Sequence, residues 1–126
     1  MVKMKTKSPR KQRKALYTMP PHLRKKKMVA RLSPDLAGDY EMRNLPVREG
    51  DTVLVVTGSF KDTEGKIIRV DRKNFRVYIK EVAIEKADGS EYNFPIAVSR
   101  VMITKLEKDK WRDKIITRKT EMLEEK

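Results

Sequence analysis

From Met1 to Pro34 the chain carries twelve lysines and arginines and not one aspartate or glutamate. A block of like charge on this scale repels itself and cannot condense without a counter-charge from elsewhere. Nine of the twelve are Arg10, Lys11, Arg13, Lys14, Arg24, Lys25, Lys26, Lys27 and Arg31. The whole chain has 31 basic and 18 acidic residues and a net charge of +13, so nearly all of the excess sits in this first stretch. The remaining 92 residues are close to balanced.

A polyanion is the natural partner, because each phosphate that meets a lysine or arginine releases condensed counterions. An anionic membrane surface would ask for a broad apolar face opposite the charges. Here only Leu16, Tyr17, Leu23, Met28 and Val29 are scattered among the cations, so nucleic acid fits better than a membrane. The extension is expected to lie along RNA and to order only when bound. Tyr17 and His22 read equally well as rings stacked on bases or as local packing.

Several chemistries fall away. Without cysteine there is no disulfide, thiolate metal site or cysteine nucleophile. His22 is the only histidine and has no carboxylate near it in sequence, which argues against a metal site and against a Ser-His-Asp arrangement. There is no phosphate-cradling glycine loop of the nucleotide-binding type, and Asp88 with Glu91 reads as a hairpin tip. The expectation is a protein with no catalytic residues, no cofactor, no metal and no small-molecule substrate. No apolar run approaches the roughly 20 residues that span a bilayer, and no apolar core of a secretory signal follows the first lysines. The default expectation is a cytoplasmic protein with no membrane partner.

Proline and glycine divide the chain. No proline occurs between Val47 and Phe94, whereas Gly50, Gly58, Gly65 and Gly89 do, the punctuation of a small antiparallel sheet. Thr52–Thr57, Gly65–Asp71, Phe75–Lys80, Val82–Lys86, Glu91–Phe94 and Val101–Thr104 read as strands, with Asp88-Gly89 as a hairpin turn. Short strands at such regular spacing predict a small barrel. Ser33 caps a short helix from Pro34 to about Met42, and Pro20-Pro21 opens another over His22–Ala30. Glu107–Glu125 reads as a charged helix supported by pairs such as Asp109/Arg112, with Trp111, Ile115 and Met122 as its apolar stripe. The predicted organisation is a basic extension with short helices over 1–46, a barrel over 47–105 and a charged helix over 106–126.

The most informative stretch runs from Arg48 to Val70. Gly50-Asp51 leads into a strand, Gly58 ends it, the loop Ser59–Glu64 offers Phe60 and Lys61 to solvent, and Gly65 starts the next strand. The spacing Gly50-Asp51, Val53, Val55, Gly58, Lys61, Gly65-Lys66-Ile67, Val70 resembles the KOW motif of SH3-like barrels in ribosomal proteins and transcription elongation factors. The position after Lys61, often glycine in that motif, is Asp62 here. The flanks Pro9–Lys14, Pro21–Met28, Leu32–Leu36, Lys86–Gly89, Pro95-Ile96 and Ser99–Leu106 extend the likeness. From about Pro9 to Lys119 the chain resembles the archaeal and eukaryotic form of ribosomal large-subunit protein twenty-four.

That resemblance implies an SH3-like (KOW) barrel and a structural role in the large ribosomal subunit. It also implies early action in subunit assembly and a position near the peptide exit tunnel. Large-subunit ribosomal RNA, neighbouring ribosomal proteins and factors that meet the emerging chain are the implied partners. Besides the nine cations above with Tyr17 and His22, the candidate RNA-binding residues are Arg48, Phe60, Lys61, Lys66 and Arg100. Arg48 and Lys66, with Arg69, Arg72 and Arg76, read as solvent-side strand and turn residues of which one or two reach RNA. The alternatives are a KOW-domain elongation factor, which would usually carry an α/β domain where this chain has a basic arm, and a nonspecific nucleic-acid-binding protein.

Overall fold

The computed structural model describes residues 5–125. In chain order the elements are helices α1 (Pro9–Thr18) and α2 (Pro21–Lys27), strand β1 (Val29–Leu32), helix α3 (Pro34–Tyr40) and strands β2 (Asn44–Pro46), β3 (Thr52–Val55), β4 (Glu64–Asp71), β5 (Arg76–Glu85) and β6 (Glu91–Ala97). A short 3-10 turn, Val98–Arg100, leads to β7 (Val101–Lys105), and α4 (Lys110–Glu124) follows. The seven strands form one sheet in the order β2-β1-β7-β3-β4-β5-β6. The fold is mainly β, as the strand pattern predicts. The sheet is not closed, since β2 and β6 stand at opposite edges.

Two strands come from the stretch that reads as an extension. β1 pairs with β2 on one side and runs parallel to β7 on the other, with Leu32 opposite Ile103. Met28, Ala30 and Leu32 alternate into the core, while Arg31 faces out. The expected helix over His22–Ala30 therefore stops at Lys27, because a period-two burial pattern takes over at Met28. Leu45, Val47, Val53, Ile79 and Ile103 join the same core. Each such aliphatic side chain contributes roughly 1.5–3 kcal/mol when fully buried. Pulling residues 28–32 out of the sheet would thus cost several of these at once, which corrects, for Met28–Leu32 alone, the expectation of an arm that orders only on RNA.

The runs Phe75–Lys80 and Val82–Lys86 are one strand. In β5 the buried residues are Val77, Ile79 and then Val82, a change of parity that marks a bulge. The register against β6 shifts in the same place, between Tyr78 and Ala83. On β4, Gly65 packs so closely on β5 that an added Cβ would lie 2.6 Å from Ile79 Cγ2. Ser33 caps α3 by accepting from the Leu36 N–H, as its position before Pro34 predicts.

The C-terminal helix docks by a different route from the predicted one. Trp111 is 67% exposed and Met122 57% exposed, whereas Arg112 is 3% exposed. Arg112 Nη1 and Nη2 donate to Asp51 Oδ1 and Oδ2 at 2.6 and 2.7 Å, and Nη2 also donates to Pro46 O at 2.7 Å. Asp51, fully buried, further accepts from the N–H groups of Arg48 and Glu107, both at 3.0 Å. Asp109, expected to pair with Arg112, instead pairs with Arg48.

Two outcomes test this packing. Arg112→Met leaves a buried carboxylate without its cation and is expected to destabilise the fold by about 3–5 kcal/mol in a denaturant titration. Gly65→Ala is expected to cost about 1–3 kcal/mol by overpacking; unchanged stability would mean that β4 and β5 separate freely.

Candidate nucleic-acid interface

The basic helices divide into residues that face outward and one that faces in. On α1, Arg10, Lys11, Arg13 and Lys14 are all exposed, and the helix buries none of its residues. Pro9 at its first turn pre-sets the backbone, but Arg10 and Lys14 are like charges four apart, which weakens it. Tyr17 at its end is 82% exposed. On α2, His22, Lys25 and Lys26 are exposed and Lys27 is half-buried. The cations of its last turn suit the negative end of the helix dipole.

Arg24 is the inward one. Its Nε donates to Met19 O at 2.9 Å, Nη2 to Tyr17 O at 2.9 Å and Nη1 to Lys73 O at 2.8 Å. Its guanidinium also lies 5.8 Å from the centre of the Phe75 ring. One side chain thus closes the end of α1 and fastens both helices to the β4–β5 turn. Of the candidate RNA contacts, Arg24 is the one spent on the chain's own backbone.

That turn is itself well held. Asp71 accepts from the N–H groups of Lys73 and Asn74 and from Asn74 Nδ2. The Asn74 side chain, foremost, with the two backbone N–H groups, holds the Asp71 carboxyl below its ordinary value of 3.8. Phe75 ends the turn with φ at 56°, in the left-handed region. The result displays Arg72 and Lys73 to solvent beside α2. Arg72, Lys25 and Arg48 line one cleft of about 120 Å3, with Arg112, Met28 and Ile115 among its other walls.

The β3–β4 loop forms a second basic corner. Gly58 takes φ at 100° and Asp62 takes φ at 66°. The left-handed backbone at Asp62 gives a physical reason for the glycine that the KOW motif often has there, and aspartate is among the few other residues that tolerate it. Asp62 N–H donates to Val55 O at 2.8 Å and folds the loop back on its strand. Lys61 is exposed at the tip. Phe60 is not: it is half-buried against the core, with its ring centre 5.5 Å from that of Phe94. The expectation of a solvent-facing ring is corrected here, since an aromatic next to Phe94 gains more from burial than from water. Arg100 reaches the same corner, with Nη1 3.6 Å from where a Cβ on residue 58 would stand.

Other candidates lie apart. Lys66 is within 3.8 Å of Glu107, and Arg31 is exposed on β1. Two features escaped the sequence, and one expected of the basic block is seen. Arg72 and Lys73 join α2 only through the fold. Trp111 stands exposed with Lys114 Nζ 4.7 Å from its ring centre, where helical spacing suggested an apolar stripe. Among the described residues no ion pair involves any lysine or arginine from Lys5 to Arg31. Nor, among them, is there a group of three potential metal-ligating residues or a helix long and apolar enough to cross a membrane.

Residues 6–119 match the model of a family described as the eukaryotic ribosomal proteins L26 and their archaeal L24 counterparts. The chain belongs to this family. A relative from Korarchaeum cryptofilum (strain OPF8), named large ribosomal subunit protein uL24, is 44% identical over 125 residues, which covers 98% of this chain and 95% of that protein. The family is one of structural components of the large ribosomal subunit and is not enzymatic. Membership sets aside the elongation-factor alternative.

The Asp71 turn supplies a measurement. Because its carboxyl is lowered, its stabilising effect on the turn is present above about pH 4 and fades as pH falls through the lowered value. An NMR titration of Asp71 is expected to give a midpoint below 3.8, and Asn74→Ala is expected to move it upward.

Proposed function

We propose that this large-subunit family member binds ribosomal RNA through two basic surfaces. One is formed by α1 and α2 with the β4–β5 turn, and the other by the β3–β4 loop with Arg100. The single observation that carries the reading is the set of exposed cations on α1 and α2 that have no carboxylate partner among the described residues. Elsewhere the cations that matter to the fold, Arg48 and Arg112, are matched by Asp109 and Asp51. Unmatched cations concentrated on two exposed helices form a surface suited to an external polyanion.

The contacts would be to phosphate and sugar more than to base edges. Lysine and arginine on short helices and rigid turns read the spacing of a folded backbone. Tyr17, exposed at the end of α1, is the candidate for stacking on an unpaired base. The register shifts along β4 and β5 and the close approach at Gly65 support an SH3-like barrel that stays open between β2 and β6. Assembly of the subunit, a place near the peptide exit and neighbouring ribosomal proteins as partners follow from the family resemblance and belong to the same proposal.

The test is the salt dependence of binding to a large-subunit RNA transcript. Replacing Arg10, Lys11, Arg13 and Lys14 together by glutamine is expected to lower the slope of log K against log salt by about three, at about 0.7–0.9 per contact. These four are exposed and bury nothing, so the melting curve should not move. An unchanged slope would place the RNA elsewhere. Deleting the arm is the poorer experiment beyond Lys27, because Met28–Leu32 belong to the core.

A further inference from the structure

The cleft between α2, the β2–β3 connection, the β4–β5 turn and α4 brings four cations together from four separate places in the chain: Lys25, Arg48, Arg72 and Arg112. None of the residues lining it is acidic. Two of the lining cations are paired with carboxylates. Asp51 holds Arg112 from below, and Asp109 holds Arg48. Lys25 and Arg72 have no ion-pair partner among the described residues. The recess therefore carries an uncompensated positive charge from these two side chains, beside the two guanidinium groups that are already paired.

We propose that this cleft is a binding pocket for one phosphate group, supplied by the RNA backbone. This specification rests on the RNA-binding reading, whereas the pocket's affinity for phosphate itself does not. The cleft, about 120 Å3, has room for a tetrahedral anion, since one water needs only about 10–15 Å3 by the same measure. The chemistry fits as well. Arg72 offers a planar fork and Lys25 a compact point charge, the two complementary ways in which side chains hold phosphate oxygens. Met28 and Ile115 form apolar walls, and an apolar wall strengthens every charged hydrogen bond beside it. A phosphate seated here would touch Lys25 of the arm, Arg72 of the sheet and the side of α4 at once. Binding would then lock α2 onto the body of the protein, adding to the Arg24 bonds that already reach Lys73.

The pocket also differs from the loop surfaces around it. Lys61 and the α1 cations project into open solvent and can follow a backbone anywhere along their reach. The cleft fixes one phosphate at one point, so it would set the register of RNA on the protein. Arg72 becomes a principal contact, although it lies on a turn far in sequence from the basic arm.

The experiment uses the full chain, isotope-labelled, titrated with inorganic phosphate and followed by amide NMR shifts. Saturable shifts are expected at Lys25, Arg48, Arg72 and Ile115. Arg72→Gln, an exposed-turn change, is expected to weaken that titration about tenfold, with Lys25→Gln behaving alike. In RNA binding each variant is expected to lower the salt slope by about one. Lys86→Gln, a lost cation on the β5–β6 turn, should leave the phosphate titration unchanged. Shifts spread evenly over all exposed cations, or an Arg72→Gln titration equal to wild type, would overturn the pocket. If RNA binds with an unchanged slope in both variants, the pocket falls while the RNA-binding reading stands. If phosphate saturates the cleft but no RNA binds, the RNA source is overturned and the site is one for free phosphate. Selective response to an acidic peptide, with none to phosphate, would replace the proposal by a protein-docking site.

Discussion

The buried pair between Arg112 and Asp51 is the constraint on which the rest of the arrangement depends. Both ions are removed from water, and such burial is tolerated only where the geometry is close and every donor and acceptor is engaged. Here the guanidinium fork meets both carboxylate oxygens, and further bonds join the pair to Pro46 O and to the N–H groups of Arg48 and Glu107. One pair thereby ties together the end of β2, the start of β3, the linker after β7 and the last helix. Lysine could not do this, because a point charge cannot span two oxygens and a carbonyl in one plane. The pair also sets the sign of the neighbouring cleft. With Asp51 committed to Arg112, Lys25 and Arg72 are left without an ion-pair partner among the described residues.

A second arginine does the corresponding job for the arm. Arg24 donates to three backbone carbonyls, two at the end of α1 and one on the β4–β5 turn. Hydrogen bonds from a charged donor are worth roughly 1.5–3 kcal/mol each when they are shielded from water, and these are half-exposed, so they hold the arm in place without making it part of the core. A docked but shallow arm suits the proposed RNA-binding surface: its helices would arrive oriented, with less ordering entropy left to lose on binding.

Much of this was legible in the residues. The acid-free block announced an external polyanion, the helix Pro34–Tyr40 followed from Ser33 and Pro34, and the loop from Gly58 to Gly65 followed from its glycines and its likeness to the KOW motif. The family followed from the same residues. What misled was periodicity read without partners. Trp111, Ile115 and Met122 have helical spacing, yet the helix docks through Arg112, because an arginine buries deeper than a tryptophan when a carboxylate waits beneath it. Phe60 looked like a solvent-facing ring because the loop around it is polar, and Phe94, more than thirty residues away, made the difference. Met28, Ala30 and Leu32 alternated in plain sight, but the charges before them hid a strand inside a supposed extension.

Local rules act over a few residues, so the chain on its own determined its caps, turns, strand alternation and the sign of its N-terminal third. Whether a given cation is a ligand, a clamp or a structural ion depends on which group lies opposite, and that group comes from another part of the chain. Asp51 and Arg112 are 61 positions apart, and Arg24 and Lys73 are 49 apart. No spacing rule reaches so far. Tertiary structure therefore decided which arginines are spent inside the protein and which are left exposed, because Coulomb attraction and desolvation are settled by distance in space.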